Sequence, residues 1–120
     1  MAGFKAFILI MQVSSGLLMI GLAVPLTLRL VGPNAWYGFR VRKTMDDPAI
    51  WYEANAYAGK SLLASGIVIV VTSLDLYFAP NIDGPIYAIA CTLITLGAIG
   101  MSVILSFRFL GRIKKTRTYD

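Results

Sequence analysis

The side chains that could do chemistry gather between Arg29 and Lys60. Arg40, Arg42 and Lys43 lie close together, with Asp46, Asp47 and Glu53 shortly after. A guanidinium binds a carboxylate or a phosphate through paired hydrogen bonds. Arg40 therefore has two kinds of partner open to it. One is an internal carboxylate from Asp46, Asp47 or Glu53. The other is external, a lipid phosphate or an acidic groove on a protein. Arg42 and Lys43 suffice as headgroup contacts, so Arg40, held between Gly38 and Thr44, is the candidate for a specific contact. The same groups could also form a lipid-headgroup enzyme, with cations clamping a phosphate and a carboxylate as general base. No nucleophile motif or metal-ligand cluster accompanies them, and the chain has no histidine. The sequence thus points away from an enzyme and implies no cofactor and no metal. The single cysteine, Cys91, lies in an apolar run and reads as a packing residue.

The elements that must position these groups follow from local signals. Gly32-Pro33-Asn34 supplies a turn. Trp36 and Tyr37 suit the headgroup level, where amphipathic rings settle. Thr44 or Asp47 is a candidate helix N-cap, and Thr44-x-x-Asp47 is a weak capping-box pattern. With Asp47 as the cap, Pro48 takes the first helical position, where its missing N–H costs nothing. Trp51, Asn55 and Gly59 then share one helix face. A short helix along or just under the membrane surface is expected here, feeding the second span, with Gly59 allowing close packing. A buried Asn55 must find hydrogen-bond partners, and Arg40 or Thr44 could serve. The expectation is a polar knot of Asn34, Arg40, Thr44, Trp51 and Asn55, acting as a brace or as a ligand site.

The rest of the chain belongs to a bilayer. Hydrophobic residues make up 58% of its 120 residues and charged residues 14%, against about 45–50% and about 25% in globular proteins. A helix needs about 20 apolar residues to cross the hydrocarbon core. Runs at about 6–28, 61–79 and 85–107 meet that need. The first is too long for a signal peptide and is expected to be retained. The fold expected is an all-α integral membrane domain with three transmembrane helices. A loop over 29–60 and a basic tail over 108–120 complete it. Ala79-Pro80-Asn81-Ile82-Asp83-Gly84-Pro85 makes the turn of an antiparallel hairpin.

The net charge of +5 comes from Lys and Arg at the ends of apolar runs, which fits headgroups and not nucleic acid. The first loop and the tail are basic, and the hairpin turn has no Lys or Arg. The loop and C-terminus are expected in the cytoplasm and the N-terminus outside, in a bacterial plasma membrane. Asp75 falls near the outer boundary, within reach of water. Small residues at four-residue spacing, Ser61 and Ser65 on the second span and Ala98, Ser102 and Ser106 on the third, favour close helix approach. Self-association into a homo-oligomer is compatible with them. The first span contains no acid, unlike the first span of a small multidrug transporter.

The pattern Asn34-x-x-x-Gly38-Phe39-Arg40-x-x-x-Thr44-x-x-x-x-x-x-Trp51-x-x-x-Asn55-x-x-x-Gly59 resembles the signature of the SdpI family of bacterial membrane proteins. The named member of that family is an immunity protein. It protects a bacterium from its own secreted peptide toxin and holds a repressor at the membrane. It also carries an additional membrane-spanning half. Many relatives have histidine where this chain has Asn55. The resemblance implies a toxin-resistance function with a peptide toxin and a cytoplasmic repressor as partners. A lipid-headgroup enzyme and an assembly subunit of a membrane complex are the alternatives.

Overall fold

The structure is a computed structural model that describes the backbone of residues 2–117 and the side chains of residues 3–113. The side chains of Lys114, Lys115 and Arg117, part of the expected basic tail, lie outside the described residues. Four helices follow in order: α1 (Ala2–Thr27), α2 (Arg42–Asp46), α3 (Pro48–Phe78) and α4 (Gly84–Arg117). The described residues are all-helical, and α1, α3 and α4 are long and apolar enough to cross a membrane. Their outward faces are bare hydrocarbon, with Ile10, Leu93 and Leu96 each 64% exposed.

Local chemistry sets the ends of these helices. Pro25 falls in the last turn of α1. Beyond it, Leu30 N–H donates to the Pro25 carbonyl (2.9 Å) and Arg29 N–H to the Leu26 carbonyl (3.2 Å). Arg29 adopts φ +61°, so the last carbonyls are closed by a Schellman turn in which an arginine takes the place usual for glycine. Asp47 caps α3, its carboxylate accepting from Ala49 N–H (2.9 Å), with Pro48 in the first turn. Asp83 caps α4 in the same way, accepting from Ile86 N–H (3.0 Å).

Two boundaries differ from the sequence expectation. The helix begun at Pro48 does not stop at Gly59 but runs unbroken to Phe78. At about 1.5 Å per residue it is longer than the hydrocarbon core, about 30 Å thick. Its first turns therefore stand beyond the span. The separate short helix before the second span is α2, which Asp47, in extended conformation, divides from α3. The last helix does not end near residue 107, where the basic tail was expected to begin. α4 continues to Arg117, and Leu110 and Ile113 are buried against Ala54 beneath Phe39, Val41, Ile50 and Phe109.

Helix α3 is the central element, with α1 and α4 packed along it. α1 lies so close that a Cβ on Gly66 would come 2.8 Å from the Gly16 carbonyl oxygen. A Cβ on Gly59 would come 3.0 Å from the Ala23 carbonyl and 2.8 Å from the Thr27 nitrogen. Gly59 is thus a packing glycine, as its place on the buried stripe predicts. α4 is held through Ser65, whose hydroxyl donates to the Ala98 carbonyl (3.0 Å).

At the hairpin end, Lys5 Nζ donates to the Ile82 carbonyl (2.9 Å) and lies 5.6 Å from both the Tyr77 and Tyr87 ring centroids. The Tyr87 hydroxyl donates to the Ser73 carbonyl (2.8 Å). Gln12 crosses from α1 to α4, donating to the Thr95 hydroxyl (2.9 Å) and the Cys91 carbonyl (3.3 Å). Cys91 is buried among these groups, and Asp75 is exposed on α3.

Candidate functional site

The loop between α1 and α3 is organised by side chains that bond to backbone. Asn34 begins it. Its amide oxygen accepts from the N–H groups of Trp36 and Tyr37 (2.8 Å each), and its amide nitrogen donates to the Gly32 carbonyl (2.8 Å). That asparagine-centred turn throws Trp36 outward, 89% exposed. Tyr37 folds back, its hydroxyl donating to the Leu22 carbonyl of α1 (2.9 Å).

Gly38 is the pivot. Its φ of +120° lies where a side chain is strained. A Cβ there would also meet Asn55 Oδ1 and Trp51 Cη2, each at 2.9 Å. With no side chain, the chain can press against the α3 stripe and turn Phe39 toward Asn55. Asn55 Oδ1 accepts from Phe39 N–H (2.6 Å), while its Nδ2 donates to the Trp51 carbonyl (3.0 Å) and the Phe39 carbonyl (3.3 Å). An amide offers one acceptor and two donors on a short stem, so one buried residue satisfies both sides of the Phe39 peptide. Trp51 anchors the other strand of the loop, its indole N–H donating to the Val31 carbonyl (2.7 Å). Thr44 closes the far side. Its hydroxyl accepts from Val41 N–H (3.0 Å) and lies within donating distance of the Phe39 and Val41 carbonyls (2.8 and 2.9 Å).

Trp51, Asn55 and Thr44 are essentially inaccessible to solvent, at 0%, 1% and 0% exposure. Among the described residues no buried side-chain polar atom lacks a partner. The knot expected from the sequence therefore forms, but its wiring differs. Asn55 is not bonded to Arg40 or Thr44. Its partners are the backbone of Phe39 and Trp51. Thr44 and Asp47 do not share a capping box: Thr44 serves the start of α2 and Asp47 the start of α3.

Arg40 lies on the outside of the knot. Its Nε donates to the Asn34 carbonyl (2.8 Å), and the residue is exposed. One of five guanidinium N–H donors is used in that bond. The other cations nearby are Arg42, also exposed, and Lys43, half-buried on α2. Gly59 takes no part in the knot and lies deeper on the same stripe, against α1.

Two parts of the site were not singled out in the sequence. Phe39 is its hub, since its peptide receives both Asn55 and Thr44 and its ring meets Phe107 of α4 edge-on at 5.0 Å. Tyr57 and Phe109 stack at 4.3 Å between α3 and the extended end of α4. The signal for Phe39 was its place between Gly38 and Arg40 within the motif. For Phe109 there was none, because the helix was expected to have ended.

Two comparisons with known proteins found a relationship. The chain is 44% identical over 36 residues to the uncharacterized protein YfhL of Bacillus subtilis (strain 168), a match covering 30% of this chain and 33% of that one. The chain thus matches about a third of the length of that curated relative. No solved structure matches it. The profile of the SdpI/YfhL protein family matches residues 30–107, which take in the whole knot, the second span and most of α4. With more than half of its length matched, the chain belongs to the SdpI/YfhL protein family.

Proposed function

We propose that this protein is a small membrane protein of the immunity or toxin-resistance type, acting by binding and not by catalysis. Its face to a partner is the loop over residues 34–44. The observation that carries the reading is the division of labour in that loop. Asn34, Thr44, Trp51 and Asn55 are spent on backbone bonds, while Trp36 and Arg40 are held outward on the frame they make. A frame fixed in advance loses little conformational entropy on binding. Exposed Trp and Arg are the residues that most often dominate interfaces. By the charge of the loop and the lack of Lys or Arg in the hairpin turn, the loop faces the cytoplasm. It would there engage a cytoplasmic protein such as a repressor, while the spans and the outer turn meet a membrane-active peptide.

The test is survival of a toxin-sensitive bacterium making this protein and challenged with membrane-active peptides. Arg40→Gln and Trp36→Ala remove the outward contacts and keep the frame. Asn55→Leu removes the frame. Protection by the wild type, lost in Arg40→Gln or Trp36→Ala at equal membrane levels, supports the reading. If the wild type protects against none of the peptides, the immunity reading fails. Co-purification of the wild type with a larger membrane complex would then favour an assembly subunit.

A further inference from the structure

α1 and α4 flank α3 but diverge at the loop end. The gap between them is a groove of about 280 Å³. Leu22 and Leu26 form one wall, Val103 and Phe107 the other, Leu62 the floor and Phe39 part of the roof. Leu22, Val103 and Phe107 are 42–50% exposed, so the groove opens sideways from the bundle.

Two features separate it from an ordinary packing defect. Ser102 and Ser106 of α4 line it and are more than nine-tenths buried as residues, yet neither hydroxyl has a hydrogen-bond partner among the described residues, and each oxygen keeps an open edge on the groove. Inside a bilayer no water stands ready to take that role. The second feature is charge. Phe39 and Phe107 touch at the mouth, and each is followed directly by an exposed arginine, Arg40 and Arg108. Neither arginine lines the groove itself, but each adjoins one of the two rings at its mouth, and the serine hydroxyls and the hydrocarbon walls lie within it. A phospholipid presents phosphate, ester carbonyl and acyl chain in that order.

We propose that this groove binds one anionic phospholipid from the leaflet on the loop side. Its phosphate lies at Arg40 and Arg108, an ester carbonyl accepts from Ser106, and an acyl chain lies between Leu22 and Val103. Arginine at headgroup depth favours a negatively charged lipid. A second protein chain fits less well, because the mouth is cationic and a peptide backbone entering here would bring many polar groups into an apolar slot. The proposal does not depend on the protein having a peptide or protein partner.

The test uses the full-length protein in detergent, offered an equimolar mixture of dioleoyl phosphatidylglycerol and dioleoyl phosphatidylcholine, with bound lipid counted by native mass spectrometry. One phosphatidylglycerol per chain is expected to be retained. Its preference over phosphatidylcholine should be about twenty-five-fold, from a factor of about five for each arginine. Arg108→Gln should lower that preference about fivefold and keep the groove occupied. Ser106→Ala should weaken both lipids alike, since both carry ester carbonyls. Val103→Trp, or Leu22→Phe from the opposite wall, should fill the groove and abolish retention, and helicity by circular dichroism checks that each variant folds. Equal retention of the two lipids by the wild type would overturn the proposal. So would undiminished lipid binding in a folded groove-filling variant. A change of oligomeric state in that variant without loss of lipid would assign the groove to a second copy instead. Inorganic phosphate added as competitor should leave the lipid in place; displacement would mean that the arginines alone form the site.

Discussion

The two ends of the bundle are tied by the same kind of bond, a side chain reaching a main-chain group, but the bonds differ in range. At the loop end, Asn34, Thr44, Trp51 and Asn55 serve backbone within the stretch from Val31 to Trp51. At the hairpin end, Lys5 reaches Ile82, Gln12 reaches Cys91 and Thr95, and Tyr87 reaches Ser73, each bond joining separate elements. The first end is a folded loop held mostly by bonds to itself and to α3, with the Tyr37 hydroxyl reaching α1. The second is a set of stitches between helices. A local frame gives a surface of fixed shape, which suits recognition. Stitches between spans fix only how helices lie beside one another.

The contrast is broken most severely at Gly38. Gly38→Ala places a Cβ at φ +120° and against both Asn55 and Trp51. Backbone strain of about 1–3 kcal/mol and overpacking of about 1–3 kcal/mol combine there. Denaturant unfolding in detergent should show a loss of several kcal/mol, with Trp51 fluorescence shifted toward its solvated value. Gly97→Ala is the comparison, since a Cβ at Gly97 meets nothing within 4 Å. It should cost nothing, and could add up to about 1 kcal/mol from helix propensity. Equal effects at the two glycines would mean that Gly38 is not a pivot.

Asn55 sharpens the comparison by chemistry instead of volume. Asn55→Leu leaves the Phe39 N–H buried without an acceptor, a loss of about 1–3 kcal/mol. Asn55→His puts a titrating side chain in the same place. A neutral imidazole can accept from Phe39 N–H and donate from its other nitrogen. A protonated one can only donate, so this site would hold the ring's folded pKa below its unfolded value of about 6.5. The unfolded state would then bind more protons in acid, and stability must fall as pH falls. Asn55→His should match the wild type above about pH 7 and weaken below about pH 6.5, whereas the wild-type knot contains no titrating side chain at that position. A flat pH profile for Asn55→His would show that the Phe39 N–H does not depend on residue 55.

How far each end was legible in the sequence follows from the same difference in range. Gly38, Thr44, Trp51 and Asn55 are joined through a short loop and a helix repeat, so spacing alone places them together. The details of the wiring were not legible. A motif names side chains, whereas the partners here are main-chain groups of Val31, Phe39 and Trp51. The three spans could be read from length and hydropathy. The continuation of α4 past Phe107 could not, because Arg108 and Arg112 look like the end of a span while Phe109, Leu110 and Ile113 turn inward to cover the start of α3. Gln12 was passed over within an uncharged run, since nothing in its neighbours says that Thr95 will face it.

Gln12 is therefore where the hairpin end can be tested, and where the effect should be smallest. Gln12→Leu removes both stitches from α1 to α4 and replaces the amide with a side chain that lipid solvates well. Hydrogen bonds between membrane helices average about 0.6 kcal/mol and reach about 1.7, because in the unfolded state the same groups find other partners. The loss should stay within that range and leave the loop intact, with Trp51 fluorescence unchanged. Thr95→Val should cost a similar amount, and the double variant little more than either alone, since each removes the same bond. If Gln12→Leu instead destabilises the protein as much as Gly38→Ala, the hairpin end is no passive stitch. The divergence of α1 and α4 that opens the groove at the loop end would then be set from the far side of the membrane, by the hydrogen bonds with which Gln12 draws those two helices together.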